Sequence, residues 1–139
     1  MENLQKFLDA QQNSYPIALS EIVNGKKQSH WMWYIFPQIE GLGTSETAKF
    51  YSIKDINEAQ DYFNHEILGN RLVEISKALF KLKSNDALQI LGSPDDMKLK
   101  SSMTLFASLD NSHPIFDQIL NKFFGGQSDM NTKRILGLS

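Results

Sequence analysis

The sequence predicts an all-α fold, one compact domain over residues 1–139 with about seven to nine helices, several of them short. Three observations carry that reading. Apolar residues recur at intervals of three and four through most of the chain, alternating apolar and polar runs are scarce, and Gly, Pro, Asn and Asp fall between the periodic stretches. The chain has 139 residues, 41% of them hydrophobic and 11% aromatic, enough for a core that needs no crosslinks.

The first helix is expected from Asn3 to Gln12, with Leu4, Phe7, Leu8 and Gln11 along one side and an interruption at Asn13 and Ser14. A second begins at Tyr15-Pro16, carries Tyr15, Ala18, Leu19 and Ile22, and ends at Gly25, so the two read as a helical hairpin. Ser29 to Phe36 is apolar on every side and reads as a buried helix or a buried strand, closed by Pro37. The Gly41-Leu42-Gly43 turn precedes a short helix from Thr44 through Tyr51, and Ile53 to Phe63 forms another.

Asn64 is placed to cap the longest helix, which runs to about Lys83 with the stripe Leu68, Leu72, Ile75, Leu79 and Leu82. A short helix from Asp86 to Leu91 stops at Gly92, and Ser93-Pro94-Asp95-Asp96 has the form of a helix start leading to about Ser108. Pro114 restarts a helix that buries Phe116, Ile119, Leu120 and Phe123 and stops at Gly125-Gly126. Asp129 caps a last short helix, Met130 to Leu136.

Composition excludes several classes of function. Without cysteine there are no disulfides, thiolate metal sites or thiol nucleophiles, and a cytoplasmic protein is the simplest expectation. Fourteen basic and sixteen acidic residues give a formal charge of -2, which argues against a nucleic-acid partner. The longest apolar run, Trp31 to Phe36, is too short to span a bilayer, and the N-terminus lacks the apolar stretch of a signal peptide, so no membrane partner is expected. No phosphate-loop or His-Glu-x-x-His signature is present, and the three histidines, His30, His65 and His113, lie far apart. Neither a metal site nor a cofactor is therefore expected, and the oligomeric state stays open.

Two segments are candidates for chemistry. Ser29-His30-Trp31-Met32-Trp33 puts two indoles and a titratable imidazole in one turn. Trp31 and Trp33 offer stacking faces for a ring, His30 is the candidate acid or base, and Gln38 offers an amide to a ligand. The same residues equally suit a core with a satisfied helix start. In the second segment, helical spacing sets Lys98 beside Ser101 and Ser102, and Ser101 beside Thr104. One ammonium and three hydroxyls suit a phosphate or carboxylate, and Lys98 is the second candidate catalytic group. The alternative is a solvated lysine with hydroxyls bonded back to the preceding turn. Asp95 and Asp96 read as helix-start residues.

The strings at residues 29–38, 41–45 and 92–106, together with Phe7-x-x-Ala10-Gln11 and Phe124-Gly125-Gly126-x-x-Asp129-x-x-Thr132, resemble the bacterial family called domain of unknown function 1810. The resemblance covers nearly the whole chain and implies a mainly helical fold with no settled activity. A fainter likeness in size and helical character, without a matching catalytic motif, is to enzymes that hydrolyse N-glycosidic bonds of ADP-ribosyl or ribosylated compounds.

These features support two functional expectations. One is a small-molecule-binding domain or small enzyme for a nucleotide-like, phosphate-bearing or carboxylate-bearing ligand, with N-glycosidic hydrolysis as its reaction. The other is a non-catalytic helical interaction module that exposes Trp31 or Trp33 to a protein partner.

Overall fold

The computed structural model describes residues 2–138, which form nine α-helices after a single 3-10 turn at Glu2–Leu4. The helices are α1 (Gln5–Val23), α2 (Met32–Ile35), α3 (Glu46–Phe50), α4 (Ile56–Asn64), α5 (Glu66–Lys81), α6 (Ala87–Leu91), α7 (Asp95–Ala107), α8 (Pro114–Phe124) and α9 (Met130–Leu136). The order and number of elements follow the apolar periodicity, with corrections at four places.

The expected hairpin at the N-terminus is a single helix. Pro16 lies inside α1, yet Phe7, Gln11, Tyr15, Ala18 and Ile22 form one uninterrupted buried face. Proline removes a backbone donor, but Pro16 and Gln12, whose carbonyl loses that donor, both lie on the exposed side of the helix. At 19 residues α1 is the longest helix, ahead of the 16-residue α5. Ile53 lies outside α4 in a parallel bridge with Ile39, where Glu40 N–H donates to Ile53 O and Ile53 N–H to Gln38 O, both at 2.8 Å. The buried Trp-rich segment resolves into the four-residue α2.

The fourth correction is at the cap of α5. His65, not Asn64, caps it, its Nδ1 accepting from Ile67 and Leu68 N–H. His113 caps α8 in the same way, with Nδ1 2.9 Å from Ile115 N. Two of the three histidines are thus committed to helix starts. Asp55, Asp86, Asp129 and Ser45 cap α4, α6, α9 and α3 by ordinary side-chain acceptance.

Helix α5 packs against α1 on one side and α8 on the other, while α7 lies on α8 and is flanked by α4, α6 and α9. A chain of rings ties these layers: Phe7 meets Tyr62 edge-on at 5.1 Å, Tyr62 meets Phe106 at 5.5 Å, and Phe106 meets Phe116 at 5.8 Å. The buried Gln11 amide donates to Tyr62 Oη and to the Tyr34 carbonyl, and its oxygen accepts from Arg71, so both ends of this amide are paired.

Where α4 turns into α5, Gly69 comes so close to Phe63 that a Cβ at this position would lie 1.9 Å from the Phe63 carbonyl oxygen. Only glycine permits that corner.

Candidate functional site

The Trp-rich segment is set by the loop between α1 and α2. Gly25, with φ of +82°, ends α1 by reversing the chain, and Lys27 N–H donates to Ile90 O, fastening the loop to α6. Glu21, in the last turn of α1, gathers the loop around its side chain. Its carboxylate accepts from Gln28 N–H at 2.8 Å, Ser29 N–H at 3.0 Å, the Ser29 hydroxyl and the Trp31 indole N–H at 2.8 Å. Burial works to raise its pKa, but these donors outweigh burial and hold the carboxyl at about 2, below its ordinary 4.5.

That anchoring brings Lys27 against the start of α7. Its ammonium lies 3.0 Å from Asp95 Oδ2, donates to the Ser29 carbonyl and sits 5.0 Å from the centre of the Trp31 ring. The other Asp95 oxygen is 3.5 Å from Lys98, whose ammonium lies 5.2 Å over the Trp33 ring. The five side chains therefore stack as Trp31, Lys27, Asp95, Lys98 and Trp33: two cations share one carboxylate, and each cation covers an indole. The three charges sum to +1. Lys27 is nearly enclosed, with 8% of its side chain exposed, whereas Lys98 retains 22%. Of the two ammonium groups, Lys98 has the donors that can reach a ligand.

Trp33 also borders a small cavity with Gln38, Gly43, Tyr51 and Ser52, large enough for about one water molecule at roughly 10 Å³. Gly43 is obligatory at this wall, because a Cβ there would lie 2.4 Å from that of Ala48. The Gly-Leu-Gly turn accordingly shapes a tight wall rather than a phosphate loop.

The candidate residues separate into three groups. Trp33, Gln38 and Lys98 meet at one place: Lys98 covers Trp33, and Trp33 and Gln38 share the cavity. Trp31, 1% exposed, is core, and its polar edge is bound to Glu21. His30 is exposed in the loop just before α2, its carbonyl accepting from Tyr34 Oη at 3.4 Å. With Trp31 buried and Trp33 half-buried beneath Lys98, the exposed indole patch of an interaction module is not formed.

The hydroxyls of α7 lie elsewhere. Ser101 Oγ donates to Asp129 Oδ2 at 2.9 Å, and Asp129 N–H donates to Thr104 Oγ1 at 2.8 Å. The carboxylate they meet is the protein's own, and together they seat the cap of α9. Thr104 also donates to Lys100 O and Ser101 approaches Met97 O, each bonding back one turn. Ser102 is fully buried and its hydroxyl has no partner among the described residues.

Sequence reasoning missed the central member of the stack. Asp95 reads as a helix-start acid, and its one local signal is Lys98 three residues on; Lys27, in a different loop, is marked in the sequence only weakly, by the adjacent Lys26. Asp96, read in the same way, lies in the first turn of α7 with one buried oxygen that has no partner among the described residues. Among the described residues no three His, Asp or Glu side chains converge as metal ligands, and no helix is long and apolar enough to cross a membrane.

Comparison with known proteins agrees with this architecture. The model of the family "Protein of unknown function (DUF1810)" matches residues 1–136, and the chain belongs to that family. Among solved structures it is similar to the conserved hypothetical protein Rv1873 from Mycobacterium tuberculosis, with 39% identity, a TM-score of 0.95, and coverage of 99% of this chain and 98% of that one. No curated protein matches the sequence.

Proposed function

We propose that the protein binds a small anionic molecule bearing a phosphate or carboxylate at Lys98, with Trp33 and Gln38 contacting the rest of the ligand. The observation that supports this most directly is the stack itself: two segments distant in sequence, residues 27–33 and 95–98, converge so that two lysines share one aspartate and Lys98 lies over a half-buried indole. A partly buried triad of this kind costs some desolvation and contributes little to stability compared with apolar packing, which leaves room for another role. The spare donors of Lys98 suit an anion, and an aromatic ring suits the Trp33 indole and the neighbouring amide.

The catalytic form of this reading uses His30 as the acid or base, three residues before Trp33, with Lys98 stabilising developing negative charge. Hydrolysis of an N-glycosidic bond in a nucleotide-like substrate is the reaction class it suggests. The test is a thermal-shift screen against nucleotides, nicotinamide-dinucleotide compounds, sugar phosphates and small carboxylates, run on the wild type and on Lys98→Ala. A compound at one hundred times its Kd stabilises the fold by about 2.7 kcal/mol. The expected result is a shift that Lys98→Ala abolishes while its unliganded melting point stays within a few degrees. A panel without any shift, or a shift that Lys98→Ala retains, overturns the assignment.

A further inference from the structure

A second feature lies away from the stack, on the face shared by α1 and α5. There the two helices leave an open groove of about 700 Å³. Its floor is apolar, formed by Leu19 and Val23 of α1 and by Val73, Ala78 and Leu82 along α5. Val23 is 60% exposed, while the other four pack partly on the core and are left uncovered on the groove side. From Asn70 to Leu82 the lining residues recur every three or four positions, a continuous stripe about 18 Å long at 1.5 Å per residue. Every lining residue comes from α1 or from this stretch, so among the described residues no third element fills the trough between the two helices.

The rim carries two lysines and one glutamate. Lys77 and Lys81 border the groove one turn apart and form no ion pair among the described residues. Glu74, on the same rim, is already engaged, accepting from Tyr15 Oη at 2.5 Å. The surface is thus an apolar trough, three turns of helix long, edged by two lysines without an ion pair among the described residues and by one glutamate bonded to Tyr15.

We infer that this groove docks an amphipathic helix of an acidic partner protein, with apolar residues at i, i+3 or i+4, and i+7 in the trough and Asp or Glu opposite Lys77 and Lys81. The trough between two packed helices accepts a third helix by ridge-into-groove packing, and its length matches three turns. Unpaired lysines beside it select an acidic flank and disfavour a basic one. The inference is independent of the site at Lys98, since it uses none of the same residues.

The experiment uses two fluorescein-labelled synthetic peptides of about sixteen residues. Both carry leucines at the helical spacing; one has glutamates on its flanks and the other lysines. Fluorescence anisotropy on the whole protein is expected to show binding of the acidic peptide at least about tenfold tighter than the basic one. Val23→Glu, at an exposed position and checked by circular dichroism, weakens the acidic peptide by about tenfold or more, and Lys77→Glu with Lys81→Glu reverses the preference. Lys98→Ala leaves all of this unchanged, which separates this result from that of the anion site. Binding of neither peptide, equal binding of both, or binding indifferent to Val23→Glu overturns the inference. Displacement of the peptide by dodecanoate at micromolar concentration reassigns the groove to a lipophilic small molecule. Concentration-dependent dimerisation that Val23→Glu abolishes reassigns it to a second copy of the chain.

Discussion

Replacing Glu21 by glutamine tests whether one carboxylate holds the segment that carries both tryptophans. In the native protein four donors converge on it, from Gln28, from the backbone and hydroxyl of Ser29, and from the Trp31 indole. A displacement of the carboxyl from 4.5 to about 2 corresponds to about 3.4 kcal/mol at 1.36 kcal/mol per pH unit. Because the group is partly solvated, screening reduces what it contributes to stability to about 1–2 kcal/mol. The folded value lies below the unfolded one, so the contribution is full above pH 4.5 and fades as pH falls toward 2. Urea denaturation of wild type and Glu21→Gln should differ by about 1–2 kcal/mol at pH 7, and by pH 3 more than half of that gap should have closed. In a Trp33→Phe background, acrylamide should quench Trp31 more readily once the indole acceptor is weakened. A gap equal at both pH values, or none at pH 7, refutes the argument that this ionised carboxylate organises the loop.

Other consequences are as specific. Gly69→Ala forces a Cβ to within 1.9 Å of the Phe63 carbonyl, and it should cost about 3 kcal/mol or more, whereas Gly92→Ala meets no atom and costs about 1 kcal/mol through its φ of +80°; thermal melts compare the two. Ser101→Ala with Thr104→Val removes the two contacts of Asp129 with α7 and should speed proteolysis near α9, by about 1–2 kcal/mol of lost local stability, without altering the fluorescence of Trp33. Burial, and then Lys77, push the imidazole of His113 below its ordinary 6.5, so the neutral form that caps α8 is favoured on folding. Its contribution is complete above pH 6.5 and declines as pH falls below it, so a plot of melting temperature against pH between 7 and 5 should be flatter for His113→Asn, which still caps but does not titrate.

The fold was largely legible in the amino-acid order. The stripe from Leu68 to Leu82, the cap at Asp129 and the glycine stop at Gly125 are local signals, and each appears where local chemistry places it. Misreadings arose where a tertiary contact outweighed a local preference. Pro16 reads as a helix start, but the continuous face from Phe7 to Ile22 against α5 and α2 carries the helix through it. Asn64 is the better intrinsic cap, yet His65 occupies the capping position because the close approach at Gly69 sets where α5 begins.

The candidate site was legible only in part. Trp33, Gln38 and Lys98 are conspicuous in composition, and the structure gathers them. Ser101 and Thr104 were equally conspicuous, but hydroxyls signal hydrogen bonding without naming the partner, and here the partner is Asp129. Periodicity of the chain, its caps and its glycines by themselves determined that it is helical and where most helices lie, because those are interactions among residues a few positions apart. The pairing of Lys27 with Asp95, the covering of Trp33 by Lys98 and the open trough between α1 and α5 were decided by the tertiary structure alone. Each depends on where whole helices come to rest, and the packing of distant faces sets that position, which no local pattern encodes.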